Sequence, residues 1–392
     1  MKKNKKVHLP YGRQNITKKD IEAVVEILKS PTITQGPTVS LFEKKIATKV
    51  RANNVIAVNS ATSALHIACL ALGLEEGDWL WTSPITFVAS ANCALYCKAN
   101  VDFVDINPLT GLMSVEALKI KLKKAEIQGK IPKIVVPVHL AGASCDMKGI
   151  RDLAKKYKFS IIEDASHAIG GMYKSKPVGS CEYSDICVFS LHPVKIITTG
   201  EGGLATTNKK NLAQKMYDLR SHGITKDQRR FKRESPGPWA YEQQTLGFNY
   251  RMTDFQAALG ISQLKRLEKI VSERNKQYII YDELLSDLPV NLLKIMKGVR
   301  SSVHLGIIRL EESNSKSHKK VFKFLRDSGI GVQLHYSPVH LQTYYRDLGF
   351  TDGDFPESEA YAKSCFSLPL YPGLKSDEIK YVVKMISKAL DV

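Results

Sequence analysis

The sequence predicts an α/β protein with a large, mostly parallel, seven-stranded sheet domain and a small α+β domain at the C-terminal end. From about residue 55 to residue 208, short β-type runs alternate with helical patterns, which is typical of a parallel sheet with helices on both faces. Beyond about residue 288, strand and helix patterns segregate. We therefore predict a large domain over 1–270, with an N-terminal arm and a long loop at 224–246, and a small domain over 271–392.

The individual elements follow from hydrophobic periodicity and from turn residues. The seven predicted sheet strands are 55–58, 79–82, 101–104, 133–138, 160–163, 186–190 and 203–206. The predicted helices of this region are 61–72, 86–96, 115–125, 147–157 and 209–220. A further helix is expected to begin at Thr253, where Gln256 completes a capping box, with an apolar face formed by Phe255, Leu259, Leu264 and Leu267. The small domain is expected to contain strands 303–310 and 331–336 and helices 318–327, 357–364 and 376–390.

Composition excludes several classes of protein. Of the 392 residues, 43% are hydrophobic and 24% are charged, which argues against a mainly disordered chain. No apolar run approaches the roughly 18–20 residues that a membrane span requires. The basic start, 1–6, is not followed by the apolar stretch of a secretory signal, so we expect a cytoplasmic protein without a membrane partner.

The net charge of +18 raises the alternative of a nucleic-acid-binding protein. Lysines are spread along the chain, however, and dense basic runs occur only at 2–6, 121–124 and 226–233. We therefore favour a small anionic substrate and expect no nucleic-acid partner. The seven cysteines form no C-x-x-C pair, which predicts reduced, mostly buried thiols and no metal site.

Chemically active side chains follow three predicted strands, and ligands of open α/β sheets bind beyond the carboxyl ends of strands. Residues 59–65 bring small hydroxyl side chains to a helix start, which suits an anion but equally an ordinary helix cap. Asp164 and His167 follow strand 160–163. Lys195 follows strand 186–190 and precedes a glycine-rich turn at 200–203.

Each of these features has an ordinary structural explanation, but together they match the needs of one cofactor. Pyridoxal phosphate requires a phosphate site, a carboxylate at its ring nitrogen, a partner for its phenolic oxygen and a lysine that forms an imine. A lysine held among apolar groups has a lowered pKa, which frees its amine as a nucleophile.

On these residues the chain resembles the DegT/DnrJ/StrS-type sugar aminotransferases, which have the aspartate-aminotransferase fold (fold type I of the pyridoxal phosphate enzymes). The resemblance covers nearly the whole chain. Its most specific segments are 163–167 (Glu-Asp-Ala-Ser-His), 190–195 (Ser-Leu-His-Pro-Val-Lys), 199–203 (Thr-Gly-Glu-Gly-Gly), 220–223, 247–252 and 333–336. Because Lys195 is present, the dehydratase branch, which has histidine there, is excluded.

The resemblance implies a role for each site residue. Lys195 would carry the cofactor as an imine, Asp164 would pair with the pyridinium nitrogen, His167 would lie by the phenolic oxygen, and Phe87 would stack on the ring. Many relatives have glutamine in place of His167. The phosphate would be held by Ala61, Thr62, Ser190 and, from the other subunit, Asn249. The sugar-nucleotide site would be lined by Tyr11, Pro31, Thr32, Ile33, Thr34, Ser60, Ser190, Asn249, Gln333, Leu334, His335 and Tyr336.

The activity that the resemblance implies is transfer of an amino group from L-glutamate to C4 of a UDP-linked 4-keto-6-deoxy-N-acetylhexosamine, as in pseudaminic acid biosynthesis, by a homodimer with shared active sites. The nearest alternative is the same reaction on a 4-keto sugar nucleotide of the bacillosamine or perosamine type. A non-catalytic regulatory protein that binds the cofactor is a further alternative.

The basic run 226–233 lies between two segments of this resemblance. We expect it to close over the substrate diphosphate through Arg229, Arg230, Lys232 or Arg233, since guanidinium groups bind phosphate oxygens in pairs. Trp239 or Tyr241 would then cover the base or the sugar. A solvated surface loop is the alternative.

Overall fold

The computed structural model describes residues 8–311 and 315–391. The basic run 2–6 and the start on which the prediction of no secretory signal depends lie outside the described residues.

All seven predicted sheet strands are confirmed, and they form one sheet. The strands are β1 (Asn54–Val58), β2 (Trp79–Thr82), β3 (Asn100–Phe103), β4 (Ile134–Val136), β5 (Ser160–Asp164), β6 (Ile186–Ser190) and β7 (Gly203–Thr207). They lie in the order β1-β7-β6-β5-β4-β2-β3, and only β7 runs antiparallel to its neighbours. The carboxyl ends of β1, β5 and β6 therefore meet at one edge of the sheet.

Helices flank this sheet, and others cover the smaller sheet near the C-terminal end. The helices are α1 (Lys18–Leu28), α2 (Pro37–Val50), α3 (Ala61–Ala71), α4 (Ala89–Tyr96), α5 (Val115–Gln128), α6 (Met147–Tyr157), α7 (Lys210–Arg220), α8 (Asp254–Leu264), α9 (Leu267–Leu285), α10 (Ser315–Asp327), α11 (Thr343–Arg346), α12 (Pro356–Ala362) and α13 (Ser376–Leu390). Burial explains why the sheet is stable: all five residues of β6 are buried, and α3 covers one face with Leu65, Ile67 and Ala68. Each fully buried leucine or isoleucine side chain contributes about 1.5–3 kcal/mol.

The region predicted as the small domain contains a three-stranded antiparallel sheet covered by helices. Strand Gly306–Leu310 lies between Val290–Leu292 and Cys365–Leu368. Helices α9, α10 and α13 pack beside it around a core that also takes in Leu9. Because α9 spans 267–285, the predicted division of the chain at residue 270 falls within its first turn and stays a prediction.

Short two-residue strands complete the fold. They are Met172–Tyr173, Lys176–Pro177, Ile224–Thr225, Glu242–Gln243 and Val299–Arg300. The predicted loop at 224–246 therefore contains a small ribbon, in which Ile224–Thr225 pairs with Glu242–Gln243, and a 3-10 turn at Gln228–Arg230.

One local prediction is wrong and another holds in part. Segment 331–336 is not a strand, because among the described residues it forms only one bridge, from Gln333 to Ser367. Thr253 and Gln256 form the predicted capping box of α8. Of the predicted apolar face, Leu267 is buried and Leu264 packs against the same core, whereas Phe255 and Leu259 are half-buried.

The buried side of α8 consists of small residues, because this helix packs closely against α1 and α2. Ala257, Ala258 and Gly260 are buried, whereas Phe255 and Leu259 remain half-buried. A Cβ added at Gly260 would lie 2.6 Å from the Phe42 ring, so a larger residue would push the two helices apart.

None of the helices within 8–311 and 315–391 has the length and apolar character that crossing a bilayer requires. All seven cysteines are buried, as their apolar surroundings in the sequence predict.

Candidate active site

A cavity of about 450 Å³ opens at the sheet edge where β1, β5 and β6 end. It brings together side chains that are far apart in the sequence. The predicted site residues that line it are Tyr11, Ser60, Ala61, Thr62, Phe87, Asp164, His167, Ser190, Lys195, His335 and Tyr336. This is the position at which open α/β sheets bind ligands.

Lys195 lies in the turn that follows β6, where its backbone N–H donates to the carbonyl of His192 at 2.9 Å. Its side chain faces the cavity. Burial disfavours the ammonium form and lowers the pKa of Lys195 to about 8, although the nearby Asp164 carboxylate offsets part of this effect. Roughly a tenth of the amine is therefore unprotonated at pH 7, far more than for an exposed lysine, which suits a nucleophile and a proton carrier.

Asp164 is the last residue of β5 and is 5% exposed. Its Oδ2 accepts a hydrogen bond of 2.5 Å from the Ser90 hydroxyl, and its Oδ1 accepts one of 3.0 Å from the Ser166 backbone N–H. These two bonds hold the carboxylate in one orientation.

His167 is buried three residues beyond Asp164. The backbone N–H of Ala141 donates to its Nδ1 at 3.3 Å, so the ring proton is assigned to Nε2, which lies 3.2 Å from the Tyr336 hydroxyl oxygen. Burial, followed by the charge of Lys195, holds the pKa of His167 well below its ordinary value. The imidazole is therefore neutral.

The start of α3 forms the side of the cavity that suits an anion. Ser60 caps this helix, with its hydroxyl accepting from the Ser63 N–H at 3.1 Å, and the first backbone N–H groups of the helix follow it. Gly203 of β7 packs against this turn, where an added Cβ would lie 2.3 Å from the Ser60 carbonyl oxygen. Ser60 thus serves as an ordinary helix cap and also lines the cavity, so the two interpretations of 59–65 are compatible.

Aromatic side chains form the opposite wall. The Tyr11 ring lies 5.2 Å from the ring of His335, whose Nδ1 is 2.7 Å from the Ser367 hydroxyl oxygen. Burial lowers the pKa of His335 to about 3, so this ring is also neutral. Phe87 lines the cavity with 61% of its surface exposed, which leaves its ring free to stack on a ligand.

Comparison with known proteins agrees with this geometry. The family model described as the DegT/DnrJ/EryC1/StrS aminotransferase family matches residues 14–387.

This chain belongs to that family.

Among its relatives is the UDP-4-amino-4,6-dideoxy-N-acetyl-beta-L-altrosamine transaminase of Campylobacter jejuni (serotype O:23/36, strain 81-176), which is 37% identical over 98% of both chains. Among solved structures, Helicobacter pylori PseC, an aminotransferase involved in the biosynthesis of pseudoaminic acid, is 30% identical with a TM-score of 0.89, over 98% of this chain and 99% of that one. The PLP form of Spr1654 from Streptococcus pneumoniae is 28% identical with a TM-score of 0.88, over 98% and 99% of the two chains. The fold is accordingly that of the fold type I pyridoxal phosphate enzymes, and the protein is an aminotransferase that uses this cofactor.

The residues of the cavity fit pyridoxal phosphate. A buried carboxylate, an amine with a lowered pKa and a serine-capped helix start all line the same space. The cavity also contains the His304 ring, which is 4% exposed and 4.5 Å from the His167 ring and whose Nδ1 has no hydrogen-bond partner among the described residues. An unpaired buried nitrogen of this kind is costly without a ligand.

Several predicted site residues of the aminotransferase lie outside this cavity. They are Pro31, Thr32, Ile33, Thr34, Asn249, Gln333 and Leu334. Segment 31–34 is exposed and rests on the start of α8, where the Asp254 N–H donates to the Ile33 carbonyl at 3.0 Å. Asn249 is also exposed, beside Ser221. Their assigned roles stay predictions.

The basic run 226–233 does not line the cavity of its own chain. Arg229 is paired with Asp227 at 2.9 Å and Arg230 with Asp218 at 2.5 Å. The backbone N–H groups of Lys232 and Arg233 donate to Glu242, and their side chains are exposed. Contact with the substrate diphosphate therefore stays a prediction, and Arg230 is the least available of the four side chains.

Some cavity residues were missed by the sequence analysis. They are Leu65, Thr86, Ala89, Val138, Ser166, His192, Val194, Glu201 and His304. His192 and Glu201 flank Lys195 in sequence, and their side chains lie 4.0 Å apart, so the Lys195 motif itself could have found them. His304 precedes the strand Gly306–Leu310, and no sequence motif around it points to a ligand site.

Proposed function

We propose that this enzyme transfers an amino group from L-glutamate to C4 of UDP-2-acetamido-2,6-dideoxy-β-L-arabino-hex-4-ulose, a UDP-linked 4-keto-6-deoxy-N-acetylhexosamine, in pseudaminic acid biosynthesis. The observation that carries this proposal is the 37% identity, over 98% of both chains, with the altrosamine transaminase of Campylobacter jejuni. The likeness to PseC over nearly the whole chain supports the same pathway.

The described residues suit both halves of such a reaction. Bound pyridoxal phosphate supplies an electron-accepting ring that stabilises negative charge next to the reacting carbon. The amine of Lys195, with its pKa near 8, removes the proton from Cα of glutamate and later delivers a proton to C4 of the sugar. Asp164, held by two hydrogen bonds, remains the negative partner of the ring nitrogen.

The remaining cavity walls would orient the cofactor and the substrates. Neutral His167, backed by Tyr336, would contact the phenolic oxygen, and Phe87 would cover the ring. The start of α3 with Thr62, together with Ser190, would hold the phosphate. The adjacent rings of Tyr11 and His335 would contact the sugar nucleotide.

The proposal includes a homodimer that works in the cytoplasm. Asn249 and segment 31–34 are exposed and outside the cavity of their own chain, which suits a role in the site of a partner subunit. Apolar side chains on α1 and α2 that a partner could cover are Ile21, Val25, Leu28 and Leu41, each 40–57% exposed.

A substrate panel tests the proposal. Purified enzyme loaded with cofactor is assayed with L-glutamate and three 4-keto sugar nucleotides: the proposed β-L-arabino sugar, the D-configured bacillosamine precursor and the perosamine precursor. We expect the highest kcat/KM with the first. A higher value with either of the others would identify that sugar as the substrate instead. The absence of turnover with all three would favour a non-catalytic protein.

A further inference from the structure

Two buried hydroxyl groups connect to Asp164: Ser90 contacts its carboxylate directly, and Thr86, which also lines the cavity, contacts Ser90. Ser90 belongs to the first turn of α4 and Thr86 to the segment before it, and they are 0% and 2% exposed. Neither was identified from the sequence. Their spacing of four residues brings both hydroxyl groups onto one side of the chain as it enters the helix.

The donor and the acceptor can be assigned in both hydrogen bonds, Thr86–Ser90 and Ser90–Asp164. The Ser90 hydroxyl donates its one proton to Asp164 Oδ2 at 2.5 Å, because an ionised carboxylate can only accept. The 2.8 Å contact between Thr86 Oγ1 and Ser90 Oγ must therefore use the proton of Thr86. The result is a chain in which Thr86 donates to Ser90 and Ser90 donates to Asp164.

We propose that Ser90 and Thr86 are positioning residues of the cofactor site, which hold the Asp164 carboxylate in the orientation that the pyridine nitrogen of the cofactor requires. Each donor in such a chain strengthens the next, and burial keeps water from replacing either hydroxyl. The Ser166 N–H fixes only the other oxygen, Oδ1, so without Ser90 the carboxylate could turn about that single bond. This inference rests on the proposed role of Asp164.

The test uses the absorbance of the bound cofactor. A protonated ring nitrogen carries a positive charge, which lowers the pKa of the cofactor's covalent linkage to Lys195. In Ser90→Ala, a poorly held Asp164 stabilises that charge less, so we expect the pKa from a pH titration of the absorbance to rise by about one unit. The glutamate half-reaction should slow roughly tenfold.

A matched control is present in the same region. Ser184 is also buried, and its hydroxyl donates at 2.5 Å to the carboxylate of Glu163. Glu163 precedes Asp164 in the chain but does not line the cavity. Ser184→Ala therefore removes an equivalent hydrogen bond without reaching the cofactor. We expect the cofactor pKa of this variant to equal that of the wild type.

Thr86 provides a second measurement. Thr86→Val keeps the shape of the side chain and removes its hydroxyl, so the cofactor pKa should move in the same direction as in Ser90→Ala but less far. Thr86→Ser restores the hydroxyl and should restore the wild-type value.

An unchanged cofactor pKa in Ser90→Ala, or an equal change in Ser184→Ala, would overturn the inference. Either result would leave the proposed function intact, since wild-type enzyme would still show a lysine-linked cofactor. The lack of any such linkage in the wild type would instead count against the proposed function.

Discussion

Lys195 owes its chemical character to its surroundings. It lies beyond the carboxyl end of β6, in a cavity where burial lowers its pKa to about 8 and where Asp164 is the nearby negative charge. An ordinary lysine on the surface has a pKa near 10.4 and is almost fully protonated at neutral pH. We propose that the cofactor is attached to this side chain.

Substitution of Lys195 tests that attachment. We expect Lys195→Ala to lose turnover and to lose the covalent link to the cofactor, because no other lysine of the described residues lines the cavity. After borohydride reduction, mass spectrometry of peptides should find the cofactor on Lys195 in the wild type and on no peptide in the variant. A reduced adduct that survives in the variant would contradict the assignment.

The lowered pKa of Lys195 also predicts a pH dependence. Only the unprotonated amine attacks the aldehyde of pyridoxal phosphate, and with a pKa of about 8 roughly a tenth of it is unprotonated at pH 7. The rate constant for loading the cofactor-free protein should thus rise with pH, reach half its maximum near pH 8 and level off above pH 9. A rate constant that climbs steadily through pH 10 would show that the amine has the pKa of an exposed lysine.

Residues at the ends of strands could be predicted from the sequence, because a parallel sheet brings such ends together. Asp164, His167 and Lys195 were found in this way, and all three line the cavity. Ser90 and His304 could not be found in this way, because Ser90 lies inside α4, well beyond the end of β2, and His304 precedes a strand outside the large sheet. Their positions depend on packing between elements, which leaves no pattern in the local sequence.

At the level of whole elements, the strands of the large sheet were predictable because they are short, apolar and bounded by turn residues. Segment 331–336 has a similar composition but pairs through a single bridge at Gln333, because the chain bends at His335, where His335 and Tyr336 line the cavity. The apolar face of α8 was predicted only in part, because close contact with α1 and α2 also buries small residues, Ala257, Ala258 and Gly260, beside the predicted Leu264 and Leu267.

The loop at 224–246 yields a prediction about the substrate. The side chains of Lys232 and Arg233 are exposed, whereas Arg229 and Arg230 are paired with carboxylates. If the loop meets the diphosphate in the dimer, Lys232→Ala/Arg233→Ala should raise KM for the sugar nucleotide roughly fivefold. The half-reaction with glutamate, which has no diphosphate, should keep its rate.

Lys323→Ala is the control for this prediction, because Lys323 is 78% exposed on α10, outside the loop, and its loss should leave KM for the sugar nucleotide unchanged. Equal losses in both half-reactions of the double variant would indicate general damage. No change in either half-reaction would mean that the loop is an ordinary solvated surface.

At the level of the whole molecule, one chain supplies the lysine, the ring carboxylate and the helix start, while Asn249 lies on its outer surface. The proposed dimer would complete each cavity with Asn249 of the partner subunit. The symmetry of such a dimer makes this contribution reciprocal.

Subunit mixing tests the shared site. Lys195→Ala and Asn249→Ala proteins should each have little activity alone. When they are mixed under conditions that exchange subunits, one site of each heterodimer is wild type, so activity should rise to about a quarter of the wild-type value. No recovery despite proven exchange would contradict sharing, and so would full activity of a monomer.

The most direct test of the whole account follows the transferred nitrogen. The enzyme is incubated with ¹⁵N-labelled L-glutamate and UDP-2-acetamido-2,6-dideoxy-β-L-arabino-hex-4-ulose, and NMR locates the label. We predict that ¹⁵N appears on C4 of the sugar, with one equivalent of 2-oxoglutarate for each amine formed. If the wild-type enzyme carries its cofactor on Lys195 and the label still remains in glutamate, the proposed function is contradicted.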